Sequence, residues 1–240
     1  NSQDTEKAID LCAAQYTVTV TDLNGCQDTA VGFVSGPGEL IVSIDSIVDV
    51  SCNGLCDGKS AITATGGAGG YTYLWPDPAA TTDSVVNGLC IGTFNGQITD
   101  ANGCLAFANI TITEPTELIV NIIDSNNVVC NGGENGWALV SYSGGTAPYS
   151  VQWNDGNNQV TDTANALTAG TYTVVVTDSN GCISQDVITI LQPSIITTEV
   201  INLEHIACTG FCIGKATLSV SGGTIGDGYT YLWEPSGQTS

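Results

Sequence analysis

The chain has 240 residues, with 24 Asp plus Glu against only 3 Lys plus Arg, and a formal net charge of −21. Because its positive charge is limited to Lys7, Lys59 and Lys215, no basic patch can form that would bind nucleic acid or an anionic membrane surface. Hydrophobic residues make up 42% of the chain, which is enough for packed cores and argues against disorder.

The sequence also lacks the usual targeting signals. No apolar run reaches about 18 residues and no basic segment precedes an apolar one, so neither membrane insertion nor a signal peptide is predicted. Methionine is absent. We therefore expect a mature or internal piece of a longer protein.

The chain repeats with a period of 78 residues. Cys26, Cys104 and Cys182 end the phrases TDLNGC, TDANGC and TDSNGC at this spacing. The same step relates two further sets: Cys52, Cys130 and Cys208, and Pro37, Pro115 and Pro193. We therefore predict four modules, called the first to fourth repeats: the end of one repeat (1–37), two complete repeats (38–115 and 116–193) and the start of another (194–240).

The elements predicted along the chain are all strands and turns. In the first repeat Tyr16, Val18 and Val20 alternate with threonines, which predicts a strand with the tyrosine face inward. The segments KSAITAT, TYTVVVTD and VITI alternate in the same way, and turn residues separate them every 8–12 residues or so. This pattern predicts tandem immunoglobulin-like β-sandwiches of about seven strands each, arranged as an elongated rod. The phrase L-x-x-G-T-[YF], at 89–94 and 167–172, predicts the corner where the sixth strand begins.

The aromatic phrase 71–75, YTYLW, has two interpretations: a sugar-stacking platform or a buried face. Its third-repeat counterpart, YSVQW, places Tyr149, Val151 and Trp153 on one face and polar residues on the other. This alternation favours the core interpretation. The loop 76–82 remains as a candidate contact surface.

Each complete repeat has four cysteine positions. The second repeat fills them with Cys52, Cys56, Cys90 and Cys104, whereas the third has Cys130, Glu134, Thr168 and Cys182. The joint loss of the middle two predicts a Cys56–Cys90 disulfide, because a single survivor would be a free thiol in an oxidising compartment. A zinc site is disfavoured, since the third repeat would keep only two of the four ligands.

The partner of Cys52 is left open between two cysteines. A strand running from Gly92 to Thr99 would lift Cys104 about 26 Å from Cys90. Because Cys52 reaches no further than about 20 Å from Cys90, a bond to Cys182 in the next repeat is favoured. The alternative is the in-repeat pairs Cys52–Cys104 and Cys130–Cys182. On either scheme we expect every cysteine to form a disulfide, some of them with partners beyond residues 1 and 240. This expectation includes Cys12, Cys26, Cys104, Cys130, Cys208 and Cys212.

The sequence offers little for catalysis or metal binding. His205 is the only histidine, so no nucleophile–histidine arrangement recurs and no enzyme active site is predicted. The D-x-N-G phrase resembles the first half of a calcium loop, but no bidentate Glu follows it, and Asn-Gly is typical of hairpin turns. We expect no cofactor beyond loosely bound calcium at Asp22, Asp100 and Asp178.

The consensus C-x-G-x3-G…GG…Y-x3-W…L-x-x-G-x-[YF]…D-x-N-G-C…P resembles the SprB repeat. The resemblance is carried by CNGLCDGKSAITATGGAGGYTYLW, GTYTVVVTDSNGC and their copies, and covers essentially the whole chain. Immunoglobulin-like and PKD-like modules share parts of it. SprB repeats occur in very long cell-surface adhesins of gliding bacteria, exported by the type IX secretion system.

The resemblance implies an extracellular, cell-surface filament that mediates surface attachment and gliding motility. Its partners would be neighbouring repeats, external surfaces or polysaccharide, and other filaments by self-association. The alternative is an Ig-like spacer or glycan-binding array in a large secreted hydrolase. The resemblance also implies O-glycosylation at Asp-Ser/Thr-apolar sites, here Thr29, Ser46, Ser84 and Thr163. Asn109 begins a short N-glycosylation sequon.

Overall fold

The structure is a computed structural model that describes residues 6–205, 214–226, 228–234 and 238–239. The regular secondary structure in these residues consists of β-strands alone. Contacts divide the chain into two compact units: Asn1–Val50 with Gly54–Glu114, and Ser51–Asn53 with Pro115–Ser240. In the described residues, no helix has the length and apolarity needed to cross a membrane.

The first unit contains a hairpin and a sandwich. The hairpin of the first repeat is formed by β1 (Ala14–Thr21) and β2 (Gln27–Val34). The strands of the second repeat are β3 (Gly38–Val48), β4 (Gly58–Gly67), β5 (Thr72–Leu74), β6 (Val85–Leu89), β7 (Gly92–Thr99) and β8 (Leu105–Ile112). They form two antiparallel sheets, in the orders β3-β4-β6 and β5-β7-β8.

The second unit repeats this arrangement. The strands of the third repeat are β9 (Ile119–Asn126), β10 (Gly136–Ser143), β11 (Ser150–Trp153), β12 (Thr163–Leu167), β13 (Gly170–Thr177) and β14 (Ile183–Ile190). Their sheets have the orders β12-β10-β9 and β11-β13-β14. The fourth repeat contributes the pairs β15 (Thr197–Glu204) with β16 (Lys215–Ser221), and β17 (Leu232–Trp233) with β18 (Gln238–Thr239).

The prediction of tandem immunoglobulin-like sandwiches is confirmed, but the predicted number of strands is wrong. Each complete repeat has six strands rather than about seven. The missing strand corresponds to the segment after Trp75 and after Trp153, where the tryptophan amides bond to Thr81 O and Gln159 O, both at 2.9 Å. The corner phrase therefore begins the fifth strand, at Gly92 and Gly170, and not the sixth.

Both sandwiches are built around a buried tryptophan. Trp75 is 1% exposed and Trp153 is completely buried, and each packs with aliphatic residues from both of its sheets. The indole N–H groups donate at 2.9 Å to Asp83 O and Thr161 O. The tryptophan face is therefore core, as the alternation in the third repeat predicted, and not a sugar-stacking platform.

The inward face predicted for β1 differs from the structure. Val174 and Val176 of the third repeat are completely buried, but their first-repeat counterparts Val18 and Val20 are 56% and 65% exposed. The reason is that, in the described residues, the β1–β2 sheet contains only these two strands. The alternation correctly predicted which side is apolar but not whether that side is covered.

A glycine pair, at the end of β4 and directly after β10, makes the sharpest backbone approach in each complete repeat. Gly66 and Gly144 have φ of +77°, which only glycine adopts at low cost. A Cβ at Gly144 would overlap Glu117 O, and one at Gly66 would overlap Glu39 O. The tyrosines of the aromatic phrases close this turn, since Tyr149 Oη donates to Gly144 O at 2.7 Å.

Replacing Gly144 by alanine is expected to cost about 2–3 kcal/mol of unfolding free energy, from a left-handed backbone conformation together with a steric overlap. The matched control is Gly132→Ala, because Gly132 has a φ of +74° but nothing within 4 Å of the added Cβ. It should cost about 1 kcal/mol. Urea unfolding followed by circular dichroism measures both, and equal losses would show that the approach to Glu117 carries no cost.

Candidate functional site

The Asp-x-Asn-Gly-Cys phrase forms the hairpin turn between the last two strands of the first, second and third repeats. Asp178 Oδ1 accepts hydrogen bonds from the backbone N–H groups of Asn180 and Cys182, both at 2.9 Å. The same two bonds form around Asp100 in the second repeat. Gly181 supplies the positive φ, 86°, that the turn requires. The phrase therefore forms a hairpin turn, as the Asn-Gly pair predicts.

The second carboxylate oxygen holds the turn against the glycine-pair loop. Asp178 Oδ2 accepts a hydrogen bond from the Thr146 amide at 2.8 Å, and Asp100 Oδ2 accepts one from the Ala68 amide at 2.9 Å. Both carboxylates are only 5% exposed. Sequence reasoning missed this contact. The sequence feature that could have revealed it is the repeat period. In both repeats the aspartate and the loop residue whose amide it binds are 32 residues apart.

These amide contacts lower the pKa of both carboxyl groups. For Asp100, the Ala68 and Cys104 amides hold the pKa below its ordinary value of 3.8. For Asp178, burial raises the pKa, but the hydrogen bonds from the Thr146 and Cys182 amides outweigh burial, and the pKa is lowered. In each case the anion is the form that the turn binds.

Acid is therefore expected to destabilise the sandwiches through these two groups. Because the folded-state pKa lies below the unfolded value, the stabilisation is complete above about pH 4 and is lost as the pH falls through the folded-state pKa. Thermal unfolding between pH 6 and pH 2 measures this. The double variant Asp100→Asn, Asp178→Asn should have a flatter dependence, with the remaining slope due partly to Asp77 and Asp155, whose pKa values are also lowered. An unchanged slope would contradict the assignment.

Loosely bound calcium at Asp22, Asp100 and Asp178 remains a prediction. The oxygens of Asp100 and Asp178 are occupied by amide donors, and Asp22 Oδ1 accepts from the Asn24 and Cys26 amides at 2.9 and 2.8 Å. In the residues described, no group of three or more His, Cys, Asp or Glu side chains is placed to hold a metal ion. These carboxylates act as turn caps.

The Cys56–Cys90 disulfide lies within the first unit, with a Cα–Cα distance of 4.0 Å. It links the loop before β4 to the corner between β6 and β7. Glu134 and Thr168 occupy the same places in the third repeat and both are exposed. The sandwich therefore forms with or without this bond.

The Cys52–Cys182 disulfide lies within the second unit, which includes Ser51–Asn53. Its Cα–Cα distance is 5.7 Å and its sequence separation is 130. Hydrogen bonds surround it: Asn180 Nδ2 donates to Ser51 O at 2.9 Å, and Asn53 Nδ2 donates to Pro115 O at 3.1 Å. The in-repeat alternatives, Cys52–Cys104 and Cys130–Cys182, do not form.

Among the described residues, the cysteines outside these two disulfides have free, exposed thiols. They are Cys12, Cys26, Cys104 and Cys130. Disulfides at these positions, with partners beyond residues 1 and 240, remain a prediction. Cys208 and Cys212 lie outside the described residues.

The glycosylation candidates are all on strands or strand edges. Thr29, Ser46 and Asn109 are exposed in β2, β3 and β8, whereas Ser84 and Thr163 are half-buried next to or within β6 and β12. The loop 76–82 is closed by a carboxylate, since Asp77 accepts hydrogen bonds from the amide and hydroxyl of Thr81 at 2.8 and 2.9 Å. Modification of these sites, and contact through this loop, remain predictions.

The SprB repeat family profile matches residues 44–80 and 122–158, which lie at equivalent places in the second and third repeats. These matches support an SprB-type repeat protein. The SprB repeats and the two disulfides together indicate an extracellular segment at the cell surface. SprB repeats and immunoglobulin-like modules are typically non-catalytic. No curated protein sequence matches the chain.

Several solved structures are similar in part. The three N-terminal domains of the bacteriophage RB49 highly immunogenic outer capsid protein align over 84% of this chain and 78% of theirs, at 15% identity and a TM-score of 0.39. A C-terminal fragment of intimin, solved with the intimin-binding domain of its translocated receptor, aligns over 68% and 67%, at 13% identity and a TM-score of 0.36. A tetra-tandem repeat from the extending region of a large adhesion protein aligns over 90% and 66%, at 17% identity and a TM-score of 0.27. At such TM-scores these similarities carry no information on function.

Proposed function

We propose that this chain is a load-bearing stalk segment of a long extracellular adhesin that mediates surface attachment and gliding motility, exported by the type IX secretion system. The observation that carries the proposal is the Cys52–Cys182 disulfide, which joins a loop of one SprB repeat to the hairpin turn of the next. The proposal of export and gliding rests on the match of two segments of the chain to the SprB repeat. The mechanical role follows from the position of the bond.

A disulfide between consecutive repeats changes the path of a pulling force. Tension applied at the two ends of the chain passes along the backbone to Cys52, across the sulfur–sulfur bond, and onward from Cys182. The residues between them, 53–181, lie outside this path. Strands of both repeats can therefore unfold without the molecule lengthening, which is a useful property in a tether that bears drag.

This predicts a large redox-dependent change in length under force. The bond spans 130 residues, and a fully extended chain covers about 3.3–3.6 Å per residue, so reduction should release about 430–470 Å of extra extension. Single-molecule force spectroscopy with and without dithiothreitol measures it. The variant Cys56→Ser, Cys90→Ser is the control, because its missing bond lies inside the shielded loop and oxidised extension should not change. Equal extension with and without reductant would contradict the mechanical role.

Surface attachment needs a separate test. Antibodies raised against this chain should label intact cells of the organism that produces it and reduce attachment of those cells to glass. Labelling only after permeabilisation would contradict a cell-surface role. Labelling without any effect on attachment would remove adhesion from the proposal and leave the stalk.

The buried tryptophans weigh against a glycan-binding array in a secreted hydrolase. Stacking on sugars requires an exposed aromatic face, and Trp75 and Trp153 are at most 1% exposed. Titration of the chain with surface polysaccharides should therefore give no saturable change in tryptophan fluorescence.

A further inference from the structure

The segment 51–53, called here the cysteine loop, is fixed by hydrogen bonds that do not involve sulfur. Asn53 Nδ2 donates to Pro115 O at 3.1 Å. The next residue along the chain is fixed as well, because the Gly54 amide donates to Glu114 Oε2 at 2.8 Å. Two bonds therefore hold the backbone directly after Cys52.

The equivalent loop of the third repeat has the same two bonds. Asn131 Nδ2 donates to Pro193 O at 2.9 Å, and the Gly132 amide donates to Gln192 Oε1 at 2.7 Å. The cysteine of this loop, Cys130, is a free thiol. These bonds therefore form around a free thiol as well as around a disulfide, and they do not depend on the disulfide.

The turn 178–182, called here the cysteine turn, also keeps its form without a disulfide. The Cys182 amide donates to Asp178 Oδ1 at 2.9 Å, and in the second repeat the Cys104 amide donates to Asp100 Oδ1 at the same distance. Cys182 is in a disulfide, whereas Cys104 is a free thiol. Both segments that carry the bonded cysteines are therefore shaped before the sulfurs react.

One side chain joins the cysteine turn to the cysteine loop. Asn180 Nδ2 donates to Ser51 O at 2.9 Å, and both residues lie in the second unit. Asn180 is two residues before Cys182, and Ser51 is directly before Cys52. The hydrogen bond therefore brings the two cysteine backbones together, and their Cα atoms are 5.7 Å apart, within the range that a disulfide requires.

Thr146 orients the Asn180 side chain. Asn180 Nδ2 also donates to Thr146 Oγ1 at 3.2 Å, and the Thr146 amide is held by Asp178 Oδ2 at 2.8 Å. The second repeat has Ala68 at this place, and its amide makes the equivalent bond to Asp100 Oδ2 at 2.9 Å. The loop therefore folds without the hydroxyl. What the hydroxyl adds is a fixed direction for the amide, which reduces the entropy lost when the amide binds Ser51 O.

We propose that Asn180 is the positioning residue for the Cys52–Cys182 disulfide, a role that rests on the proposed stalk function. Its bond to Ser51 O docks the cysteine turn on the cysteine loop before the thiols react. The two thiols then lose two protons and two electrons and form one sulfur–sulfur bond. A low-molecular-weight disulfide such as glutathione disulfide accepts them and becomes two thiols. Docking raises the effective concentration of the two thiols, so the bond forms again after reduction.

The test uses the full chain with serine at the six cysteines outside the two disulfides: Cys12, Cys26, Cys104, Cys130, Cys208 and Cys212. This parent and its variants are equilibrated in glutathione buffers of different ratios, alkylated and analysed by peptide mass spectrometry, which gives the effective concentration of the Cys52–Cys182 pair. Asn180→Ala should lower it about three- to tenfold, the effect of losing one hydrogen bond. Asn180→Asp keeps the size but not the donor, and should lower it at least as much. The Cys56–Cys90 pair is the internal control and should not change.

Two further variants separate positioning from general stability. Asn102→Ala makes the same change in the turn of the second repeat and should leave the effective concentration of the Cys52–Cys182 pair unchanged. Thr146→Ala gives the third repeat the residue of the second and should lower it about two- to threefold. Thermal unfolding of the reduced proteins should give the same midpoint for Asn180→Ala and Asn102→Ala, because the backbone bonds to Asp178 and Asp100 remain.

The possible failures have different meanings. An effective concentration within twofold of the parent for both Asn180 variants would overturn the positioning role and leave the stalk function intact. An equal loss in Asn102→Ala would also overturn it, since the effect would then be a general one. If the parent formed no Cys52–Cys182 bond at any glutathione ratio, the stalk function would be contradicted as well.

Discussion

Replacing both Cys52 and Cys182 by serine is expected to lower the free energy of unfolding by about 4–5 kcal/mol. The bond closes a loop with a sequence separation of 130, and the chain-entropy model gives this magnitude for a loop of that length. The loss acts through the unfolded state, because the cross-link restricts the conformations open to the unfolded chain. The hydrogen bonds of Asn180 near the bond should keep the folded turn in place.

Urea unfolding of the oxidised protein, followed by circular dichroism, measures this loss. Cys104→Ser is the control, since Cys104 is free and exposed and its substitution should change the midpoint very little. The variant Cys56→Ser, Cys90→Ser should lose less, about 3–4 kcal/mol, because its loop is shorter, with a separation of 34. If reduction with dithiothreitol left the wild-type midpoint unchanged, neither bond would stabilise the fold.

Replacing Trp153 by alanine should cost the third repeat about 3–5 kcal/mol of unfolding free energy. The side chain is completely buried, and its indole N–H donates to Thr161 O at 2.9 Å. The substitution therefore removes the largest core side chain of this repeat and also leaves the Thr161 carbonyl without its indole partner. Trp153→Phe should restore part of the packing but not the hydrogen bond.

The unfolding curve of this variant should separate into two transitions, since Trp75 still holds the second repeat. Tryptophan fluorescence would then report both transitions, because Trp75 lies in the second repeat and Trp137 in the third. Val160→Ala is the surface control, because Val160 is 64% exposed and its truncation should change stability by less than about 0.5 kcal/mol. A single transition at the wild-type midpoint would show that Trp153 does not anchor the sandwich.

The repeat period explains why so much of the fold could be predicted. When one repeat has a polar residue where another has an apolar one, the pair reveals which face of a strand is inside. Comparison of YTYLW with YSVQW identified the tryptophan face in this way, and both tryptophans are buried. The Cys56–Cys90 pairing rested on the same logic, because Glu134 and Thr168 replace the two cysteines together.

The details that were missed depend on contacts that a strand pattern does not record. Alternation cannot show that Asp178 Oδ2 reaches the Thr146 amide, since that bond joins two loops. It also cannot show that the segment after Trp75 is closed by a hydrogen bond to Thr81 instead of forming a further strand. The exposure of Val18 and Val20 is a third case, because burial depends on a facing sheet and not on the strand itself.

The hydrogen bonds of the turns have a chemical consequence for the lifetime of the protein. Asparagine followed by glycine is prone to deamidation, in which the glycine amide nitrogen attacks the asparagine side chain. The chain has eight Asn-Gly pairs. In five of them, which belong to turns, the glycine amide donates a hydrogen bond in the structure: Gly25, Gly54, Gly103, Gly132 and Gly181. A nitrogen engaged in this way is a poor nucleophile. The turns of the repeats therefore also slow the deamidation of their asparagines.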